Sequence, residues 1–438
     1  APSGSVVAPL GLSCSCASEE LERPRSTKRA RVATVASGSR HGSATVSSSG
    51  SSRSSSSSGN TAGIIRDNVA PHFDWKEGMV LNSKYELKAL LGDGTFGRVL
   101  LAIDKPKNCN VAVKIIRDEE RYRNDAKFEA AILRKIRRAD PAGTSGCAIM
   151  HEAFMHDERF FCLVFEQLGA SLYDFLKANY FQGFWMQDIQ CVAQQCMQAL
   201  AFLHGQLRMI HTDLKPENIL LLSVDPPRAA HFTRGALWKR NRELRQDPSS
   251  SSPPPSTYMR PAAPVRIKLV DFGNTHCECE ARSPVINTRQ YRSPEVLLQL
   301  GWDEMSDIWS VGCILMELYL GEQLFEAHDD LEHLALLEKI LGALPQDMFA
   351  RTGLGVREKC LAEAPAAPGR WSLRWPEKAQ SNLSKRLVAV QLPLLEQVLP
   401  QHLLLAEFVG ALLRLEPERR PRSINALLHP FLTAKLED

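Results

Sequence analysis

The chain has 438 residues, enough for two or three structural units at roughly 100–200 residues each. It is 44% hydrophobic and 24% charged, which excludes a wholly disordered chain, a collagen and a pure coiled coil. The net charge of +3 is too small to point to direct nucleic-acid binding. No run reaches the ~18 apolar residues that a membrane-spanning helix needs, so no membrane partner is expected either.

The charge is uneven along the chain. Residues 1–70 hold eight basic and four acidic residues, and the remainder holds 45 and 46. Thirteen of the 22 residues from Ser37 to Ser58 are serine, a composition that cannot bury enough apolar surface to offset ordering entropy. Residues 1–70 are therefore expected to be a disordered Ser/Arg-containing tail. Lys28, Arg29 and Arg31 form a basic patch that reads either as a nuclear-import signal or as a solvated stretch. The chain starts at Ala1, and Val6–Leu12 has no basic residue before it, so no signal peptide is expected. Eleven scattered cysteines suit reduced thiols better than a disulfide scaffold. The pairs Cys14/Cys16 and Cys277/Cys279 lack a second pair at zinc-site spacing.

From Trp75 the texture changes. Strands are expected over 85–91, 98–104 and 110–116, where Val, Ile and Leu alternate or run together. Helical spacing follows over 127–138, then another strand over 160–165. Beyond it helices dominate, over 188–204, 306–320, 333–341, 403–415 and 423–429. A small strand-rich lobe thus precedes a larger helical one. Ser- and Pro-rich residues 223–264 interrupt the second lobe and are expected to be a mostly mobile loop.

Four clusters carry chemistry. Gly92, Asp93, Gly94, Thr95, Phe96, Gly97, Arg98 and Val99 form a G-x-G-x-x-G-x-V run after an apolar segment that begins the fold and ends at Leu91. Glycines there let backbone N–H groups approach phosphates. A dinucleotide-binding loop would open a helix, whereas this one leads into an apolar strand. Val111-Ala112-Val113-Lys114 places a lysine on an apolar strand, which is costly without an anionic partner. Nucleotide phosphates and Glu129, on the following helix, are the natural partners. A lysine snorkelling from a strand end is the alternative.

His211-Thr212-Asp213-Leu214-Lys215-Pro216-Glu217-Asn218 is more specific. Asp213 can accept a hydroxyl proton, Lys215 can neutralise a transferring phosphoryl group, and Asn218 can bind a metal through its amide oxygen. Asp271-Phe272-Gly273 then follows an apolar strand ending at Val270. Its carboxylate can join Mg²⁺ to phosphates. Ser293-Pro294-Glu295 comes 22 residues after Asp271. Each piece is matchable by chance, but five in this order are not.

In these motifs the chain resembles a eukaryotic protein kinase over residues 85–431. The resemblance implies an α+β, two-lobed fold: a β-rich N-lobe over about 85–168 and a helical C-lobe over about 169–431. It implies ATP and Mg²⁺ as cofactors. By motif, Lys114 would hold phosphates and pair with Glu129, Asp213 would be the catalytic base, and Asn218 and Asp271 would bind the metal. Phe165 would be the gatekeeper, and Glu166–Leu168 the hinge. Val99, Ala112 and Leu220 would sandwich the adenine. Thr288 would bridge Asp213 and Lys215, Glu295 would pair with Arg420, and Asp307 would brace the catalytic loop.

Tyr291-Arg292-Ser293-Pro294-Glu295 looks like the CMGC group. Residues 332–342, EHLALLEKILG, are similar to the EHLAMMERILG motif of the LAMMER (CLK) kinases, and this segment is expected to serve packing. Asn274 and the 288–293 segment lean toward the neighbouring SR-protein kinases. A DYRK-like enzyme lacks support, because no Tyr-x-Tyr pair stands in the activation segment. A pseudokinase scaffold would have lost Lys114, Asp213 or Asp271. The resemblance implies phosphorylation of Ser/Thr, with Tyr left open, on Arg/Ser-rich splicing factors. It also implies a monomer in the nucleus, with the cytoplasm as a second location. Asp174 and Glu217 could face substrate arginines, although Asp174 could equally take ribose hydroxyls. Thr212 stands where many kinases carry an arginine that pairs with an activation-loop phosphate. Activity independent of such a phosphate is therefore expected.

Overall fold

The computed structural model describes residues 72–231, 234, 258–277, 283, 285–364 and 367–436. The expectations for the tail, for Cys14/Cys16, for Cys279 and for the middle of the 223–264 insert lie outside these residues.

The N-lobe is one antiparallel sheet of six strands in the order β1-β2-β3-β4-β6-β5. These are β1 (Val80–Leu81), β2 (Tyr85–Asp93), β3 (Gly97–Asp104), β4 (Cys109–Ile116), β5 (Met150–His156) and β6 (Phe160–Glu166). Tyr85, Leu87, Leu100, Val111, Val113 and Val164 bury its core. The sequence pattern misses β5, whose MHEAFMH run mixes polar and apolar residues without a clean alternation. It is an edge strand, so one side needs no apolar partner. Helix α1 (Glu120–Ala139) packs against the sheet and begins seven residues before its apolar periodicity, because its first two turns are polar. Phe128, Ile132, Leu133 and Ile136 form its buried stripe.

The C-lobe is built around α4 (Met305–Leu320), all sixteen residues of which are buried. Helices α2 (Leu172–Ala178) and α3 (Met186–Leu200) precede it, and α5 (Asp330–Leu341), α6 (Asn382–Ala389) and α7 (Leu403–Leu412) follow. The helix expected over 188–204 changes at Ala201 into a π-helical turn that ends at left-handed Arg208. The helix expected over 423–429 stops at Ala426, because His429 precedes Pro430 and a residue before proline avoids helical geometry.

The insert, expected to be a mostly mobile loop, is ordered at its ends. Strand Arg228–Ala230 pairs antiparallel with Tyr258–Arg260. The Asn179 side chain bonds both the N–H and the carbonyl of Met259, each at 3.0 Å. Arg260 grips Asp188 with two bonds of 2.7 and 2.8 Å. The polar, Pro-rich composition conceals this ribbon, because its order comes from side chains on α2 and α3 and not from its own apolar pattern.

The 332–342 segment is indeed packing. Leu334, Leu336, Leu337 and Ile340 are buried, and the Glu332 carboxylate accepts from Ser384 Oγ and His328 N. Burial, with Arg292 and Arg289 nearby, pushes the His333 imidazole down to about 3, so this residue is neutral.

Arg420 and Glu295 tie the segment that follows Asp271 to the last helices. Both side chains are almost wholly buried, and two parallel bonds of 2.7 Å join them. Arg420 also donates to the Met305, Arg414 and Leu415 carbonyls. Glu295→Ala leaves a buried guanidinium unpaired and should cost about 3–5 kcal/mol, read as a fall in urea midpoint at unchanged slope.

Candidate active site

The glycine-rich turn joins β2 to β3, closed by Gly94 N–H to Gly97 O at 3.0 Å. A Cβ on Gly97 would sit 2.1 Å from the Ile115 carbonyl oxygen, so the sheet itself requires that glycine. Gly92 has no neighbour within 4 Å of such an atom, and Gly94 none nearer than 3.7 Å. These two leave the face of the turn bare for a ligand to approach. Arg98 Nε pairs with Asp93 at 3.1 Å, and exposed Phe96 stands edge-on to Tyr122.

Strand pairing sets the next residues in register. Val99 lies opposite Lys114, and Ala112 opposite Phe165. Lys114 does not snorkel. Its Nζ lies 2.8 and 3.1 Å from the two Glu129 oxygens and 3.6 Å from Asp271 Oδ1. Burial alone would lower the Lys114 pKa, but the Glu129 and Asp271 carboxylates raise it above the ordinary lysine value. Lys114 in turn holds Asp271 below the usual carboxylate range, against the effect of burial and with help from His211 and Lys215.

A cavity of about 860 Å³ opens between the lobes. Leu91, Gly92, Val99 and Ala112 line it from the sheet, Phe165, Glu166 and Leu168 from the connection between lobes, and Leu220 and Val270 from the C-lobe. Lys114, Glu129 and Asp271 close its polar end. Asp93, Gly94, Thr95, Phe96 and Gly97 lie in the turn and outside these walls. The Glu166 carboxylate points elsewhere, to Lys268 Nζ at 3.0 Å and Ile149 N–H at 2.8 Å. Only its backbone is left for a ligand.

The catalytic-loop residues gather beside this cavity. Asp213 Oδ1 accepts from Thr288 Oγ1 at 2.8 Å, and Oδ2 from Lys215 Nζ at 2.7 Å. Lys215 also donates to Thr288 Oγ1 at 3.1 Å, so Thr288 links the two. Asn218 Nδ2 donates to the Asp213 carbonyl at 2.8 Å, which turns its amide oxygen away from that carbonyl. Beneath, Asp307 accepts from the N–H groups of His211 and Thr212 at 2.8 and 2.9 Å and from His204 Nε2 at 2.9 Å. Burial would raise its pKa, but these donors hold it below the usual range. Thr212 and Asp271 both adopt left-handed backbone, with φ of 65° and 62°. Thr212 Oγ1 donates to the Asn274 carbonyl at 2.7 Å, and Phe272 is fully buried against the His211 ring.

Two oxygen donors, the Asp271 carboxylate and the Asn218 amide, together with a lysine held cationic, form a set that suits a hard divalent cation and phosphates. The comparisons agree with this geometry. The protein kinase domain family matches residues 85–432. The serine/threonine-protein kinase AFC2 of Arabidopsis thaliana is 37% identical over 84% of this chain and 81% of its own length. The dual specificity protein kinase CLK1 of Mus musculus is 38% identical over 84% of this chain and 70% of its own. This chain belongs to the LAMMER (CLK) kinases of the CMGC group. A crystallised kinase domain superposes with a TM-score of 0.71 at 35% identity, covering 82% of this chain and 98% of that one. This LAMMER kinase is a protein serine/threonine kinase, uses ATP with a divalent metal, and acts on protein substrates.

Sequence reasoning missed several residues of the kinase cleft. Ser171 caps α2 and holds Asp174, its Oγ donating to Asp174 Oδ2 at 2.7 Å. The roots of the insert, including Pro226, Pro227 and Pro261, extend the outer wall of the cavity. No motif signals either, because both depend on the ordered ribbon and on the placement of α2. Glu317 was legible only as a charge inside an apolar helix. It is buried and accepts from Tyr291 OH at 2.7 Å. Burial, opposed by the Tyr291 bond and reinforced by the Glu217 charge, pushes its pKa up to about 7. Its neutral form therefore stabilises the fold fully below about pH 4.5, and that contribution is lost as pH rises through 7. Glu317→Gln should lie within about 1 kcal/mol of the parent at pH 5 and exceed its stability by roughly 2–3 kcal/mol at pH 8, measured by urea unfolding at both pH values.

Proposed function

We propose that this kinase transfers the γ-phosphoryl group of Mg²⁺-ATP to serine in arginine-rich proteins, the Ser/Arg-rich splicing factors, acting as a monomer in the nucleus. The observation that carries the substrate class is the acidic floor beside Asp213. Asp174 and Glu217 both line the cavity, and Glu317 lies close enough to Glu217 for their charges to interact. Glu217 reaches solvent, yet burial and the neighbouring Asp213 and Asp174 carboxylates raise its pKa, against the pull of Lys215. A site crowded with carboxylates gains most from a cationic substrate side chain. Arginine answers that need better than lysine, because its planar fork meets carboxylates with paired hydrogen bonds.

The residues divide the chemistry. Bound Mg²⁺-ATP supplies the phosphoryl group and offsets part of its charge. Lys114, held cationic by Glu129, grips the phosphates, while Asn218 and Asp271 hold the metal. Val99, Ala112, Leu220 and Val270 exclude water around the base. Asp213, fixed through Thr288, orients the acceptor hydroxyl and takes its proton. Lys215 offsets charge on the transferring group.

Thr212 already binds the activation segment through Asn274, so no phosphate is needed to order this end of it. The test is transfer from Mg²⁺-ATP to an Arg-Ser repeat peptide, a Pro-directed peptide and a generic basic protein. Phosphatase-treated enzyme is assayed alongside, with Asp213→Asn as the blank. Preference for the Arg-Ser repeat, retained after phosphatase and lost by more than 10³-fold in Asp213→Asn, is expected. Transfer to the other substrates alone would reject the splicing role, and imaging of the tagged chain outside the nucleus would reject the location.

A further inference from the structure

The acidic floor has an aromatic neighbour that no part of the phosphoryl-transfer machinery uses. Helix α2 packs against the turn Pro216–Asn218 that carries Glu217. On α2, Tyr173 directly precedes Asp174 and is half-buried. Its ring meets Phe181 at 6.1 Å between centroids and an interplanar angle of 61°. Phe181 is 39% exposed and its neighbour Tyr180 is 62% exposed. Burial, and then the charges of Glu217, Glu317 and Asp174, raise the Tyr173 pKa.

The backbone that presents Phe181 is held in an unfavourable conformation. Tyr180 and Phe181 both have φ of 55°, a left-handed geometry rare for aromatic residues. Phe181 N–H donates to Leu176 O at 2.7 Å, and Tyr180 N–H to Lys177 O at 3.1 Å. The Phe181 carbonyl lies where a Cβ on Gly321 would stand, 1.8 Å away. That glycine lets the turn press against the end of α4. The two bonds to Leu176 and Lys177 close α2 in a Schellman cap, which accounts for the left-handed turn and leaves the Tyr180 and Phe181 rings at the surface.

Elsewhere the protein stacks arginine on aromatic rings. Arg234 lies 4.2 Å above Tyr319, Arg357 4.7 Å above Trp371 and Arg420 4.9 Å above Trp309. Among the described residues no cation covers Tyr173 or Phe181.

We propose that Tyr173 and Phe181 form an aromatic shelf that receives a substrate arginine, its guanidinium stacked on the rings and reaching toward Glu217. The shelf makes these two residues determinants of arginine over lysine. A guanidinium is planar and weakly hydrated, so it stacks at small desolvation cost, whereas an ammonium holds its water. This inference rests on the arginine-rich substrate class proposed above and assigns part of that recognition to residues outside the acidic floor.

The test compares kcat/KM for an Arg-Ser repeat peptide with that for a Lys-Ser repeat of equal length and charge. The parent kinase, Tyr173→Leu and Phe181→Asn are measured, the last because asparagine tolerates left-handed backbone. The shelf predicts a clear Arg/Lys preference in the parent and a fall of that ratio by about fivefold in each variant, carried by KM, the size of one solvent-facing cation–π contact. Titration with a fluorescent ATP analogue shows that each variant is folded. A parent that prefers Arg-Ser, with variants that keep the full ratio, overturns the shelf and leaves the substrate class standing. A parent that prefers neither overturns both. If one variant fails to bind nucleotide, the other and the parent ratio still decide.

Discussion

Asp307 touches no part of the nucleotide cavity, yet the geometry of the catalytic loop hangs on it. It is fully buried in the first turn of α4, the most enclosed helix of the C-lobe, and three donors from two segments converge on it. Two of them are the backbone N–H groups of His211 and Thr212. Thr212 is a β-branched residue in left-handed backbone, a conformation that costs on the order of 1–3 kcal/mol and persists only when its surroundings impose it. The Asp307 bonds impose it. They turn the chain so that Asp213, the next residue, meets Thr288 and Lys215. The Thr212 hydroxyl then reaches Asn274, which couples the loop to the segment after Asp271.

A second network joins the lobes. Lys114 comes from the sheet, Glu129 from α1, and Asp271 from the C-lobe. Their charges lie within 3.6 Å of the lysine nitrogen. Buried charges of this kind are tolerated only when paired. Phe272, wholly buried next to Asp271, fixes that residue while α1 packs over it. Below, Glu295 and Arg420 anchor the far end of the activation segment. Two buried ion-paired clusters and one buried carboxylate thus frame the loop of Asp213 and the segment after Asp271.

Much of this was legible in the sequence because the chemistry needs particular residues at short spacing. Lys114, Asp213, Asn218 and Asp271 each sit in a local motif, and the apolar strands flanking them are readable by alternation. The pairings of Thr288, Glu295 and Asp307 were accessible only through family resemblance, since their partners lie 75 to 125 residues away. Features set by tertiary contact were not legible. Strand β5, at the sheet edge, breaks the alternation with His151 and Glu152 side by side. The insert ribbon is ordered by Asn179 and Asp188, which belong to other elements. The left-handed turn at Tyr180 and Phe181 depends on Gly321, 140 residues further on. Glu166 stands at an expected position, yet its carboxylate serves Lys268.

Asp307 positions the catalytic loop and leaves nucleotide binding to the cavity walls. Steady-state kinetics of Asp307→Ala, with nucleotide affinity measured in parallel, tests it most directly. Loss of the bonds to His211 and Thr212 should misplace Asp213 and lower kcat by about 10²-fold, with the nucleotide Kd changed less than about threefold. A variant that keeps its kcat, or one that loses nucleotide affinity in proportion to kcat, would contradict the account.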